Sequence, residues 1–500
     1  MKNKLTIWLL SLLTVASAGC SKSAFLDINT DPNNPADVSP QVLLPSTTYT
    51  LAFANGNELA RVASLLIQQN AGIANQAVGF DIFNLDGNFD NSWNFEIYTG
   101  ALPPINQLIA KTQTLGPHYA GIAKIQKAYL LSIATDLWGD VPYSQAGNID
   151  KYPTPRFDLQ QDIYQGNAAL GIQSLFDLIR EGVTDLEKAT PNGGFDINVN
   201  NDDQVYQNPD QDVDLQVEQW IKMAHTLMLK LAITITNSNP ALAKSVINEI
   251  LADGRYMTSN EDDYDTKFGT SGGSQSPFYS FNVVNRPNDM MMSSRLATLV
   301  NSMGADVANY IGFFYTRPTG VFVGFNNGST SAAPAAATRS KYGPAVVGTA
   351  GGATWVRMIN NANRAFILSE AALILGTAGD PNTLFQEGIK ASMAKVGMSA
   401  AAINTFFINN AALVTLSGSQ ADKRKQIITW KYFANITNPL EAYNDYRRTG
   451  YPVLGLPLNP SGDDPTVIPK RYTYPPNETS ANPNVPKPRP LTNQKVWWGL

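Results

Sequence analysis

Residues 118–140, HYAGIAKIQKAYLLSIATDLWGD, decide the fold class. Ile122, Ile125, Tyr129, Ile133 and Leu137 recur at steps of three and four, so one face of a helix is apolar for more than four turns. The helix has a marked end. Gly139 supplies a residue free to take positive φ, and Pro142 prevents the chain from resuming the helix. Beyond the turn WGDVPYSQAGNIDKYPTPRFD (138–158), Asp158 with Gln161 three residues on has a capping-box spacing. It is expected to open a helical region carrying Ile163, Leu175, Leu178, Val183 and Leu186.

The same period recurs on both sides. Leu59, Val62, Leu65 and Leu66 predict one earlier helix, and Trp93, Ile97, Leu102, Ile105 and Leu108 another, interrupted at Pro103-Pro104. Downstream, QVEQWIKMAHTLMLKLAITIT (216–236) and ALAKSVINEILADG (241–254) predict a helical hairpin. RMINNANRAFILSEAALILG with PNTLFQEGIKASMAKVG, and QADKRKQIITWKYFAN with PLEAYNDYRRTG, predict two more. Repeated pairs of this size predict a mostly α fold of tetratricopeptide-like stacked helix pairs, each burying its face against the next. From Ser259 to about Gly352 the chain is instead rich in Gly, Ser, Asn and aromatic residues without a helical period, and from Tyr451 onward prolines are dense. Long irregular segments of this kind are commonly binding loops or disordered segments.

The N-terminus reads as an export signal. Lys2 and Lys4 precede an apolar run, Leu5 to Ala16, shorter than the ~20 residues of a membrane-spanning helix, and Ser17-Ala18-Gly19 are small enough for cleavage. Cys20, the single cysteine of 500 residues, follows at once. The expected organisation is a signal peptide at 1–19, a lipidated tether at 20–45 containing the turn-rich NTDPNNPADVSP, and a helical-repeat ligand-binding domain at 46–500 with a loop-rich insert at about 259–352. One cysteine forms no internal disulfide, so folding rests on burial. A formal net charge of −5 provides no basic excess for a phosphate backbone, which argues against nucleic acid as a partner. His118 and His225 are far apart in sequence with no cysteine to join them in a zinc site.

These motifs form an ordered series. The turn DLWGDVPYSQA, then Pro155-Arg156-Phe157-Asp158 and Ile163-Tyr164, resembles the hallmark of the SusD/RagB family of outer-membrane nutrient-binding lipoproteins. FLDINTDPNNP, the helix led by Trp220, LSEAALILG, FQEGIKASM, YNDYRRTGYP and KVWWG match in order, from Phe25 to the C-terminus. The compact helix motifs and aromatic ending are most similar to the SusD-like branch. The resemblance implies a non-enzymatic protein, acylated at Cys20 and held at the outer membrane facing the cell exterior. It would capture oligosaccharides, or in some members peptides, over a SusC-like TonB-dependent transporter. No cofactor is implied.

Other chemistry finds less support. The sequence has no GxSxG, HExxH, CxxC or P-loop motif, and two histidines leave little room for a Ser-His-Asp triad. A polysaccharide hydrolase with two opposed carboxylates is the alternative from another class, and a protein-binding scaffold is a third. The acidic run Glu261, Asp262, Asp263, Asp265 reads as a solvated loop. Asp86, Asn88 and Asp90 have the alternating oxygens that begin a calcium loop but lack its glycine and closing glutamate, as do Asp210, Asp212 and Asp214. Trp138 and Tyr143 are expected in the core. The expected ligand contacts are aromatic rings of the irregular segments: Phe80, Phe83, Phe89, Phe278, Tyr279, Tyr310, Phe314, Tyr315, Phe322 and Phe325, which could stack on a sugar face or a peptide side chain.

Overall fold

The computed structural model describes residues 38–197, 202–207, 212–349 and 351–500. Cys20, the expected signal peptide, most of the tether and Asp210 lie outside the described residues. Helix α1 spans Pro40–Gly56 and α2 spans Glu58–Leu66. Residues 40–45, expected in the tether, are thus the opening turns of α1, with prolines at its first position and at Pro45. A π-helical stretch, Asn91–Ala101, runs into α3 (Leu102–Thr112), so the break expected at Pro103-Pro104 is a change of helix type at Leu102. Proline is tolerated there because the first N–H groups of a helix have no partner within it.

The deciding stretch forms α4, Pro117–Trp138. Gly139 follows with φ +82°, donating its N–H to the Thr135 carbonyl at 2.8 Å, as the helix-stop reading requires. The expected capping box is absent. Asp158 receives Ser144 N–H and Arg156 Nε–H, both at 2.6 Å, so its carboxylate holds the hallmark turn closed, and Leu159 stands at the N-cap of a short helix, Gln160–Gln165. The rest of that region is a separate helix, α5 (Leu175–Leu186), capped by Ser174 Oγ, which accepts Asp177 N–H at 2.9 Å.

Then come the pairs α6 (Val213–Thr234) with α7 (Pro240–Asp253), α8 (Ser294–Ser302) in the insert, α9 (Asn361–Leu375) with α10 (Pro381–Lys395), and α11 (Gln420–Ala434) with α12 (Pro439–Thr449). Helix α4 packs on α5, α5 on α6, α6 on α9 and α9 on α11, the stacked succession expected of tetratricopeptide-like pairs. The insert is not free loop. It contributes β2 (Tyr264–Lys267) and β3 (Met290–Met292), which pair antiparallel with β4 (Trp355–Ile359) and β1 (Asn70–Gly72) respectively, and thereby fasten it to the helical body. Among the described residues no helix is long and apolar enough to cross a membrane.

The hallmark motifs converge in a buried polar cluster. Asp136 Oδ1 accepts from the Tyr164 hydroxyl at 2.6 Å and Trp498 Nε1 at 3.1 Å, and Oδ2 accepts from Lys230 Nζ at 3.1 Å and Asn444 Nδ2 at 3.0 Å. Burial pulls the Lys230 ammonium down, but Glu441 at 3.2 Å and Asp136 outweigh it and hold its pKa above the usual lysine value. Alongside, Arg448 grips Glu370 through two bonds of 2.6 Å, and Arg424 Nε adds a third at 2.7 Å. Burial alone would raise the Glu370 carboxyl; Arg448 and Arg424 override it and bring it down to about 2.

Of the acidic run, Glu261 is exposed as expected of a solvated loop, but its neighbours are not. Asp262 and Asp263 are buried; Asp262 Oδ2 receives the N–H groups of Thr258 and Ser259 at 2.8 and 3.1 Å, and Asp263 pairs with Lys395 at 2.6 Å. A tight turn needs acceptors for its own N–H groups, and Asp262 supplies them, while Asp263 Oδ1 accepts Asn361 N–H at the start of α9 at 2.7 Å. Trp138 is buried as expected, its Nε1 donating to the Thr473 carbonyl at 2.8 Å, and Tyr143 is buried too.

Candidate functional site

The irregular segments meet on one side of the body and enclose a groove of about 610 Å³. One wall is α8. Leu296, Ala297 and Val300 turn inward, which leaves Ser294, Thr298 and Ser302, spaced four apart, as a row of hydroxyls along the groove with Leu299 beside them. Asn326, Asn327 and Leu458 complete the lining, Asn326 Oδ1 accepting the Ser294 hydroxyl at the N-terminal end of α8. Among the described residues lining the groove, Arg295 is the one charged side chain.

Buried bonds hold these walls in place. Ser293, the N-cap of α8, accepts Arg295 N–H at 3.1 Å and donates its hydroxyl to Asn327 Oδ1 at 2.6 Å. Asn327 Nδ2 donates to the Asn70 carbonyl at 2.9 Å and to Asp81 Oδ1 at 2.6 Å, and Asp81 Oδ2 receives Gly328 N–H at 2.6 Å. Burial pushes the Asp81 carboxyl up to about 6 even though these donors oppose the shift. Gly328 has φ +71°, and a Cβ there would lie 2.9 Å from the Pro457 side chain, so only glycine lets the 457–459 segment close over the wall. Arg295 Nη2 reaches across to the Leu456 carbonyl at 2.6 Å, which fixes the guanidinium at the groove edge. The site therefore offers hydroxyl and amide groups, one guanidinium and two leucine surfaces. Such a set can hydrogen-bond a polyhydroxylated or amide-bearing ligand but has no opposed carboxylates for acid–base hydrolysis.

The expected aromatic platforms are placed differently. Phe80, Phe83, Phe89, Tyr310, Phe314, Tyr315, Phe322 and Phe325 are buried and present no open ring face. Phe89 stacks on Tyr472 with centroids 4.5 Å apart, Tyr310 meets Phe314 edge-on at 5.4 Å, and the Tyr315 hydroxyl donates to Asn70 Oδ1 at 2.8 Å. A layer of irregular chain must bury apolar surface to stay folded on the body, and these rings supply it. Phe325 builds the groove rather than lining it: it accepts Ser294 N–H at 2.8 Å through its carbonyl and donates its own N–H to Met292 O at 2.9 Å. Phe278 and Tyr279 keep partly open rings, near a second cleft.

Asp86, Asn88 and Asp90 do not converge. Asn88 Oδ1 accepts from Gln76 at 2.8 Å, Asp90 Oδ1 accepts Asn477 N–H at 3.0 Å, and Asp86 faces Arg489 at 3.9 Å. Asp212, of the other candidate loop, is the N-cap of α6. Sequence reasoning missed Ser294, Thr298, Ser302 and the Asn326-Asn327 pair. The signal was a four-residue spacing of hydroxyls on the polar face of a short amphipathic helix.

A family model described as starch-binding and associating with the outer membrane matches residues 32–475. Among solved structures, a chitin-binding protein superposes with a TM-score of 0.73 at 22% identity, covering 92% of this chain and all of the other. A chitin-binding SusD homologue from Flavobacterium johnsoniae gives 0.69 at 21%, covering 92% and 96%. A SusD-like protein from Bacteroides thetaiotaomicron gives 0.73 at 20%, covering 92% and 99%. No curated protein matches the chain at a significant level. With the model matched over most of its length and the same fold recurring in these homologues, the chain belongs to the SusD-like family of starch-binding, outer-membrane-associated proteins.

Proposed function

We propose that the protein is a lipid-anchored binding protein of the outer-membrane surface that captures an oligosaccharide, with peptide as the second ligand class, in the groove between α8 and Asn326-Asn327. It hands the ligand unchanged to a SusC-like TonB-dependent transporter. The observation that carries the ligand half is the lining: hydroxyls, amides and one guanidinium, with leucine surface and no carboxylate. The names of the chitin-binding neighbours agree with a glycan. The anchor and the transporter rest on the family resemblance and on the position of Cys20 after its apolar leader.

Calorimetry against a panel of glycans and peptides tests the groove. Asn326→Ala combined with Arg295→Met removes hydrogen-bonding groups of about 1 kcal/mol each, so affinity is expected to fall by roughly tenfold or more, while the protein stays folded with a melting temperature lowered only by the loss of the Arg295–Leu456 and Ser294–Asn326 bonds. Unchanged affinity moves the site elsewhere, and shortened glycan recovered after incubation moves the protein to the hydrolases. Cys20→Ala is expected to shift the folded protein from the membrane fraction to the soluble one, because stable anchoring needs more than one chain and the variant carries none. Variant protein that still sediments with membranes, in cells lacking the transporter, excludes the anchor.

A further inference from the structure

Charge is unevenly placed along the chain. The formal net value is −5, yet residues 268–354, between β2 and β4, hold five cations, Arg286, Arg295, Arg317, Arg339 and Lys341, against two acids, Asp289 and Asp306. The acids at the root of the insert are already spent on the body: Asp262 pairs with Lys222, and Asp263 and Asp265 pair with Lys395. In the body, Arg180, Arg255, Arg424 and Arg448 each grip a carboxylate. Among the described residues none of the five insert cations does. Arg295 and Arg317 bond only neutral oxygens, the Leu456 carbonyl and Asn309 Oδ1, and Arg339 Nε and Nη1 have no acceptor. Asp289 accepts from Asn75 Nδ2 at 2.6 Å and Asp306 from Asn410 Nδ2 at 2.9 Å, so neutral amides take both carboxylates.

Main-chain bonds set these charges beside the groove. Ser340, flanked by Arg339 and Lys341, accepts Met292 N–H at 3.4 Å, two residues before Ser294 of the lining. Thr316, next to Arg317, donates its N–H to the Lys341 carbonyl at 2.8 Å. Bonded neighbouring segments lie about 5 Å apart and each residue advances about 3.3 Å, so these backbones stand on the order of 10 Å from the groove. That is about one Debye length at physiological salt, and the lining feels their charge. Within the groove, Arg295 has Nη2 on the Leu456 carbonyl, which leaves Nε and Nη1 for a ligand, and no carboxylate of the lining neutralises it. A guanidinium presents parallel N–H groups that match the paired oxygens of a carboxylate or sulfate.

We propose that the groove selects an acidic saccharide, one whose units carry carboxylate or sulfate groups, over a neutral one. Arg295 receives the anionic group by charge-assisted bonds, Thr298 and Asn326 bond ring hydroxyls, and Arg317, Arg339 and Lys341 draw the polyanion toward them. The inference rests on the glycan reading of the groove and adds to it the charge class of the ligand.

Calorimetry on the purified protein tests it with five kinds of probe. Oligogalacturonides and chondroitin sulfate oligosaccharides are acidic; methyl-esterified oligogalacturonides keep the same backbone without its charge; malto- and chito-oligosaccharides are neutral; hexaglutamate carries charge without a sugar. At least one acidic saccharide is expected to bind about tenfold more tightly than every neutral probe and than hexaglutamate. Arg295→Met should abolish that preference, and Arg295→Lys, which keeps the charge, should retain part of it. Raising the ionic strength from about 0.01 M to about 0.5 M should weaken the acidic probes and leave the neutral ones unchanged, and Arg317→Met with Lys341→Met should flatten that salt dependence. A neutral saccharide that binds as tightly as the best acidic one, or an acidic preference that survives Arg295→Met, overturns the inference and leaves the glycan reading of the groove standing. Hexaglutamate binding that matches the acidic saccharides reduces recognition to charge alone and overturns it too. Failure of the wild-type protein to bind any saccharide probe overturns the inference together with the glycan reading.

Discussion

Asp136→Ala is expected to destabilise the protein by about 3–5 kcal/mol, the cost of removing one partner from a buried charge pair. The substitution takes away the acceptor shared by Tyr164, Trp498, Lys230 and Asn444, and it leaves the buried Lys230 ammonium with Glu441 alone. Against a typical stability of about 5–15 kcal/mol, that loss removes about a fifth of the total or more. Urea denaturation of the purified variant measures it. The triple variant Asp136→Leu with Lys230→Met and Glu441→Gln is expected to recover part of the loss, because it removes Glu441, the partner that Lys230 would leave behind, together with the two other charges. An Asp136→Ala midpoint equal to wild type would show that the cluster is not a keystone of the fold.

Glu370→Ala is expected to cost a similar ~3–5 kcal/mol, since it strands the Arg448 guanidinium, 1% exposed, with Asp445 as its remaining carboxylate. The same residue predicts an acid transition. Its folded carboxyl lies at about 2, below the ordinary glutamate value of 4.5, so the stabilisation it provides is complete above about pH 4.5 and is lost as pH falls toward 2. Wild type is therefore expected to lose stability steeply over that window, and Glu370→Gln to show a shallower slope there while being less stable at pH 7. Parallel acid titrations followed by circular dichroism distinguish the two, and identical slopes would assign acid unfolding to other carboxylates.

The stacked helix pairs were legible because a helix that packs on neighbours from one side must place its apolar residues three and four apart, as Ile122 to Leu137 do. The stop at Gly139 was legible for an equally local reason, the need for positive φ. What could not be read depended on partners distant in sequence. Asp158 has the spacing of a cap, yet Arg156 and Ser144 claim its carboxylate. Residues 40–45 look like a tether because of their prolines, yet Leu43 and Leu44 are buried and carry those turns into the helix. The aromatic residues of the insert were misplaced because lack of helical period was read as exposure, whereas β1–β3 and β2–β4 bind the insert to the body and Tyr310, Phe314, Tyr315 and Phe322 join the body's own core. Conversely, Ser294, Thr298 and Ser302 look like any solvated helix face until Asn326 and Leu458 are set beside them.

The partners of Asp136 also impose an order in time. Lys230 follows it by 94 residues, Asn444 by 308 and Trp498 by 362. At a synthesis rate of about 5–20 residues per second, roughly 20–70 s pass between the making of Asp136 and the making of Trp498. Throughout that interval the hallmark helix has its central carboxylate without its full set of donors, and the body around it cannot lock. A chain that stops before Trp498 lacks one of the four side-chain donors to Asp136, and with it the last bond that closes the cluster.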